Sequence, residues 1–190
     1  YSPRATAWIE MTIFYTVHSH RLQEVIHLPA RQMEVVVSDG SVQTIKALNG
    51  DFFRTTIRLS PDAKYVAYEL PSKDGSAKGD ISAVEIDTKR ETPLVGHPAD
   101  DKLLGWTPDG KKVLFTSTRN SFSRYSELYL VSLDGGMEEK LPLPMGWEGS
   151  FSPDGQKLAI GFGDSANVNV LSANDLSHLY SPSSAGIDSG

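Results

Sequence analysis

The stretch "LLGWTPDGKKVLFTS" at residues 103–117 places a tight turn between two apolar runs, and the chain repeats this phrase twice. The other copies are "IRLSPDAKYVAYEL" at 57–70 and "GSFSPDGQKLAIGF" at 149–162. Their Pro-Asp pairs begin at positions 61, 108 and 153, so they recur 47 and then 45 residues apart. A period of ~40–50 residues is typical of the four-stranded blades of β-propellers.

Each copy predicts a hairpin corner between two antiparallel strands. Proline fixes φ at the first corner position, and the aspartate carboxylate accepts hydrogen bonds from amides of the turn. The glycines that follow supply the positive φ by which the second strand leaves in register, whereas Ala63 in the first copy predicts a corner that is either slightly different or strained. The predicted structural turn residues are Pro61, Asp62, Pro108, Asp109, Gly110, Pro153, Asp154 and Gly155.

A second turn marker supports the same period. Turn-forming residues follow alternating strands at 39–40, 87–88, 134–136 and 174–175, so this marker shows four copies. We therefore predict an all-β fold, with β-propeller blades of four antiparallel strands and about four blades at 1–50, 51–98, 99–145 and 146–190. We expect a single propeller or propeller segment over 1–180, and a flexible tail over 181–190.

The phrase "SPDGQKLAI", together with "LYLVSLDGG" at 128–136, resembles the TolB-type propeller repeat, a WD40-like repeat with a Pro-Asp signature. Residues about 97–160 resemble the N-terminal propeller of tricorn-type serine peptidases, whereas residues 41–111 look more like propeller tails of bacterial regulatory proteins. In tricorn-type enzymes the catalytic Ser and His lie in a separate C-terminal domain. The resemblance therefore implies no catalytic residue in this chain, and the TolB likeness favours a periplasmic or otherwise extracytoplasmic location.

Composition excludes several classes of function. The net charge of −6 argues against nucleic-acid binding, which needs clustered Lys and Arg to neutralise phosphates. No apolar run approaches the ~20 residues of a membrane span, so we expect no membrane insertion. Cysteine is absent, and His18 and His20 have no evident third metal ligand nearby. We therefore predict no catalytic, cofactor or metal site.

The irregular segments between the repeats are the candidate binding surfaces. Arg119, Arg124 and Tyr125 lie in a long loop between the second and third strands of a blade, and Trp147 lies at a blade junction. Long loops at a propeller rim usually carry function. We predict a non-catalytic binding or scaffold module for protein or peptide partners.

Two alternatives stay open at the level of the sequence. The chain is a propeller piece of a tricorn-like peptidase that gates or filters peptide substrates, or it is a structural propeller assembled from two or more chains. Four blades are the low end for a closed ring, and an open arc leaves strand edges that favour association. We therefore expect a homo-oligomer.

Overall fold

The computed structural model describes residues 31–36, 42–48, 56–71, 79–120, 126–143, 145–161 and 168–182. Within these ranges every regular element is a β-strand. The strands in chain order are β1 (Arg31–Val36), β2 (Val42–Leu48), β3 (Ile57–Leu59), β4 (Tyr65–Pro71), β5 (Gly79–Glu85), β6 (Glu91–Val95), β7 (Asp101–Trp106), β8 (Lys112–Ser117), β9 (Glu127–Ser132), β10 (Glu139–Lys140), β11 (Glu148–Phe151), β12 (Lys157–Gly161), β13 (Val168–Ser172) and β14 (His178–Tyr180).

Three four-stranded antiparallel sheets follow the chain order: β3–β6, β7–β10 and β11–β14. They lie in the ranges predicted for the second, third and fourth blades and are named accordingly below. The β1–β2 hairpin lies in the range predicted for the first blade. These sheets confirm the prediction of an all-β fold built from four-stranded antiparallel blades.

The chain forms two compact units, residues 1–54 and 55–190. The β1–β2 hairpin belongs to the first unit, and the second, third and fourth blades belong to the second. The predicted turn at 39–40 and most of the predicted tail, 183–190, lie outside the described residues. The boundary between propeller and tail therefore stays a prediction.

The Pro-Asp corners share one hydrogen-bond pattern, seen most fully in the third blade. The Thr107 hydroxyl donates to Asp109 Oδ1 (2.7 Å) and accepts from the Lys112 amide (3.0 Å), while Asp109 Oδ1 accepts from the Lys111 amide (3.1 Å). These bonds to the ionised carboxylate hold the pKa of Asp109 below its ordinary value. The same contacts recur in the corners at 60–65 and 152–157.

The residue after each Pro-Asp pair adopts a left-handed conformation. Its φ is 58° at Ala63, 70° at Gly110 and 73° at Gly155. A side chain with a Cβ is strained in this region, whereas glycine is not. Of the two alternatives for the first corner, the structure therefore shows the strained one: Ala63 has nearly the φ of the two glycines.

Two apolar clusters join consecutive blades in the second unit. The first seam lies between the second and third blades, and its largest residue is Trp106, whose Nε1 donates to the Arg58 carbonyl (2.9 Å). The second seam lies between the third and fourth blades, with Phe151 packed against it. The buried residues of the second seam are Leu104, Leu114, Leu128, Leu141, Leu158, Ile160 and Leu171.

Candidate partner-binding rim

Antiparallel pairing divides the second unit into two ends. A Cβ placed on Gly155 would lie 2.9 Å from Cβ of Pro108, and one on Gly110 would lie 3.7 Å from Cδ of Pro61, so consecutive corners pack together at one end. The opposite end carries the starts of β7 and β11 and the ends of β8 and β12, which pair as Asp101 with Ser117 and residue 148 with residue 161. We call this end the loop rim.

Arg119 stands just beyond the end of β8 at the loop rim. Its side chain is only 10% exposed. One terminal nitrogen lies 3.2 Å from Asp101 Oδ1 and the other lies 3.1 Å from Glu138 Oε1, while Nε donates to Ser117 Oγ (2.8 Å). The guanidinium therefore connects the start of β7, the end of β8 and the segment before β10.

The same guanidinium lies over two stacked rings. Its carbon is 5.4 Å from the Phe115 centroid and 4.9 Å from the Tyr129 centroid, and these rings stack at 5.4 Å. The Tyr129 hydroxyl donates to Glu127 Oε2 (2.8 Å) and accepts from Asn120 Nδ2 (2.7 Å). Burial, reinforced by Glu127, raises the pKa of Tyr129 to about 12. Cation–π, ionic and hydrogen-bond contacts thus hold Arg119 and Asn120 against β8 and β9.

Asp101 is the buried anion of this cluster. Burial raises the pKa of its carboxyl above the ordinary value, and the Arg119 charge opposes that effect. Its second oxygen, Oδ2, has no hydrogen-bond partner among the described residues. A buried carboxylate without a charged partner is costly, so the Arg119 ion pair stabilises the folded state at this part of the loop rim.

Trp147 and Met145 are two exposed apolar residues at the loop rim, separated by Gly146 in the chain, with 37% and 39% of their surface exposed. Gly146 between them has no room for a side chain, because a Cβ would lie 2.6 Å from Cδ1 of Leu128. The Gly146 amide also donates to the carbonyl of Ser126, the residue that follows the 121–125 loop (2.9 Å). Both side chains are therefore presented on a backbone that is hydrogen-bonded to the third blade.

The first strands of the blades carry exposed charges that the sequence analysis did not single out. Lys102 on β7 forms an ion pair with Glu148 on β11, across the seam between two blades. Arg58 on β3 is exposed and donates from Nε to the Leu104 carbonyl (2.9 Å). The sequence could have indicated these residues, because each of them lies a few residues before a Pro-Asp corner.

The predicted site residues therefore have different environments. Trp147 is exposed at the rim, whereas Arg119 is folded into its own blade, so a direct partner contact by Arg119 stays a prediction. Arg124 and Tyr125 lie outside the described residues. Met145 was missed, although the phrase "PMGW" places it beside Trp147.

Metal-binding clusters and membrane-spanning helices are both absent from the described part of the chain. Those residues contain no group of three or more His, Cys, Asp or Glu side chains arranged to hold a metal ion. Nor do they contain a helix with the length and hydropathy of a membrane span.

Known proteins resemble this chain in sequence over about half its length. A tricorn protease homologue of Saccharolobus solfataricus is 27% identical over 105 residues, which cover 55% of this chain and 10% of that protein. A tricorn-like protease N-terminal subunit of Sulfurisphaera tokodaii is 26% identical over 102 residues, or 53% of this chain and 52% of that one. The chain thus spans about a tenth of the first relative and about half of the second.

Solved structures share the fold. TolB from Acinetobacter baumannii superposes with a TM-score of 0.60 at 21% identity, covering 81% of this chain and 38% of that one. A TolB protein from Agrobacterium tumefaciens gives a TM-score of 0.61 at 19% identity, covering 82% and 58%. The model of the tricorn protease N-terminal β-propeller domain matches residues 36–170, which include all three described four-stranded blades except the end of the last. The chain therefore belongs to the tricorn protease N-terminal β-propeller domain family.

Proposed function

We propose that this chain is a non-catalytic binding module that holds a peptide or protein partner at its loop rim, as part of a tricorn-like protease assembly. One observation carries the proposal: Trp147 and Met145, two residues apart in the chain, are both exposed at the loop rim, and Gly146 between them is hydrogen-bonded to Ser126 of the third blade. The family supports the setting, because it is the propeller domain of a protease.

The chemistry of the pair suits recognition of extended or apolar peptide segments. Tryptophan and methionine are enriched at protein interfaces, where a rigid aromatic ring and an adaptable thioether bury large areas. The backbone beneath them is fixed by the Gly146 and Trp147 amides, which donate to the Ser126 and Gly161 carbonyls (2.9 and 3.1 Å). A fixed backbone lowers the entropy lost on binding.

A Ser–His pair in the fourth blade does not have the geometry of a nucleophile and its base. His178 Nε2 lies 3.0 Å from Ser181 Oγ, but the Ser181 hydroxyl donates its proton to Asn169 Oδ1 (2.7 Å). The imidazole therefore faces a hydroxyl oxygen whose hydrogen points elsewhere, whereas a general base must accept that hydrogen. This arrangement supports a non-catalytic role.

A second candidate function is the filtering of peptides that pass to a protease. The observation that favours it is the set of exposed charges of both signs on the first strands of the blades, Arg58, Lys102 and Glu148. Such charges interact with the termini and side chains of a passing peptide. A filter of this kind predicts peptide binding that weakens as salt rises, whereas binding at the apolar pair depends little on salt.

Fluorescence anisotropy with dye-labelled peptides from digested casein tests the proposal. We expect saturable binding that Trp147→Ala weakens about tenfold, the effect of losing ~1.4 kcal/mol. The matched control is Met137→Ala, because Met137 is almost fully exposed and lies in the β9–β10 turn, away from the loop rim. Equal losses in the two variants, or no peptide binding at millimolar concentration, would contradict the proposal.

A further inference from the structure

The Arg119 guanidinium is shared by two carboxylates at opposite edges of the third blade. Asp101 Oδ1, at the start of β7, lies 3.2 Å from one terminal nitrogen, and Glu138 Oε1, just before β10, lies 3.1 Å from the other. Strands β7 and β10 are the two edge strands of this sheet, with β8 and β9 between them. A single cation therefore connects both edges of the blade.

The two carboxylates have different surroundings. The Asp101 side chain is 0% exposed, and its Oδ2 has no hydrogen-bond partner among the described residues. The Glu138 side chain is 29% exposed. Burial disfavours the charged form of a carboxyl, and a proton on Oδ2 of Asp101 displaces no hydrogen bond. Asp101 is therefore the carboxylate of this cluster that is neutralised first as the pH falls.

The pKa shifts of the two carboxyls agree with this geometry. Burial raises the pKa of Asp101, although the Ser117 hydroxyl and the Arg119 charge oppose the effect. Burial acts in the same direction on Glu138, but hydrogen bonds from its own amide and from Arg119 outweigh it and lower its pKa below the ordinary value. Glu138 thus keeps its charge at a pH where Asp101 has taken up a proton.

His97 and Tyr129 are the other titratable groups that act on this cluster. His97, in the connection between β6 and β7, interacts electrostatically with both carboxylates, so a charged imidazole would favour their ionised forms. Its Nδ1 accepts a hydrogen bond from the Ala99 amide (3.1 Å), which requires that nitrogen to be unprotonated. Tyr129 lies under the guanidinium as a neutral ring. His97 therefore opposes the neutralisation of Asp101.

We propose that the Asp101–Arg119 ion pair is a pH-operated latch of the third blade: a proton on Asp101 opens the contact at β7, while Glu138 retains the guanidinium beside β10. Hydrogen bonds between charged groups are roughly twice as strong as neutral ones, so Glu138 holds Arg119 in preference to a neutral Asp101. A carboxyl whose pKa is raised by folding binds its proton more tightly in the folded state, so this proton uptake itself favours folding. The latch therefore opens within the folded protein, and it does not depend on partner binding at the loop rim.

An NMR titration of the full chain between about pH 7 and pH 3 tests the proposal. The Asp101 carboxyl carbon is expected to titrate with a midpoint above the ordinary aspartate value of about 3.9. The Arg119 Nε resonance is expected to shift with the same midpoint, and the Glu138 carboxyl is expected to titrate at lower pH. An Arg119 signal that does not follow Asp101, or a Glu138 carboxyl that titrates first, would overturn the proposal.

Two variants show which group triggers the change at Arg119. Asp101→Asn is neutral at every pH and is expected to abolish the titration step of the Arg119 Nε signal, whereas His97→Gln is expected to keep it. A step that persists in Asp101→Asn, or one that disappears in His97→Gln, would identify a different trigger and refute the latch. The parent chain and His97→Gln decide the question even where Asp101→Asn does not fold.

Discussion

The strained corner at Ala63 leads to a prediction that separates backbone strain from packing. Ala63 has φ of 58° and sits where the other two corners have glycine, while its amide keeps the turn hydrogen bond to the Ser60 carbonyl (2.9 Å). A left-handed conformation costs a residue with a Cβ roughly 1–2 kcal/mol, and replacement by glycine removes this strain but adds a smaller cost in unfolded-state entropy. Ala63→Gly is therefore expected to stabilise the protein by up to about 1 kcal/mol.

The other two corners allow the reverse substitution, from glycine to alanine, at two positions that differ in the space available for a Cβ. Gly110→Ala introduces the strain alone, because its Cβ would meet Pro61 Cδ at an ordinary 3.7 Å. Gly155→Ala adds a clash, because its Cβ would lie 2.9 Å from Cβ and 3.1 Å from Cγ of Pro108. We expect losses of about 1 kcal/mol for Gly110→Ala and about 2–3 kcal/mol for Gly155→Ala.

Urea unfolding measured by circular dichroism compares these variants through the denaturant midpoint at constant slope. The expected order of stability is Ala63→Gly, the parent chain, Gly110→Ala and then Gly155→Ala. Ala99→Gly is the control, because φ of Ala99 is not positive and its replacement only adds unfolded-state entropy. The reasoning is refuted if Ala63→Gly destabilises the protein as Ala99→Gly does, or if Gly155→Ala costs no more than Gly110→Ala.

Three further predictions concern charges and hydroxyl groups. Arg119→Met removes the ion-pair partner of the buried Asp101 carboxylate and is expected to lower the free energy of unfolding in urea by about 3 kcal/mol at pH 7. Part of this loss should be recovered in acid, where Asp101 is protonated. An unchanged urea midpoint would refute the stabilising role of Arg119. Burial raises the pKa of Glu69, which accepts a hydrogen bond from the Leu103 amide (3.0 Å), so its ionisation makes folding less favourable as pH rises above the ordinary carboxyl range. Relative to the parent chain, Glu69→Gln should therefore gain stability between about pH 4 and pH 7. A loss of stability over that interval would contradict this reasoning. Ser152→Ala removes the hydroxyl that bonds the Asp154 carboxylate and the Lys157 amide and is expected to cost about 1 kcal/mol, whereas the neighbouring Ser150→Ala, with one long bond of 3.4 Å, should cost less.

The blades were predictable because their signals are local and repeated. Pro108, Asp109 and Gly110 determine a turn within four residues, so the period of the corners predicts the period of the sheets. The role of the Thr107 hydroxyl was missed, although a Ser or Thr precedes the proline in all three copies. Its hydrogen bonds reach Asp109 and Lys112, which lie beyond the proline.

The environment of Arg119 was not predictable from sequence position. Its loop placement suggested an exposed contact residue, but its guanidinium folds back over Phe115 and Tyr129, which come together only when β8 pairs with β9. The exposure of Trp147 followed more directly from its position at a blade junction.

Amide hydrogen exchange of the full chain, with and without saturating casein peptides, tests the central claim most directly. The account predicts slower exchange at 145–147 and at the residues on either side of 121–125, with no change at the Pro-Asp corners on the opposite end. Protection confined to the corners, or unchanged exchange at 145–147 when peptide is bound, would contradict a partner site at the loop rim.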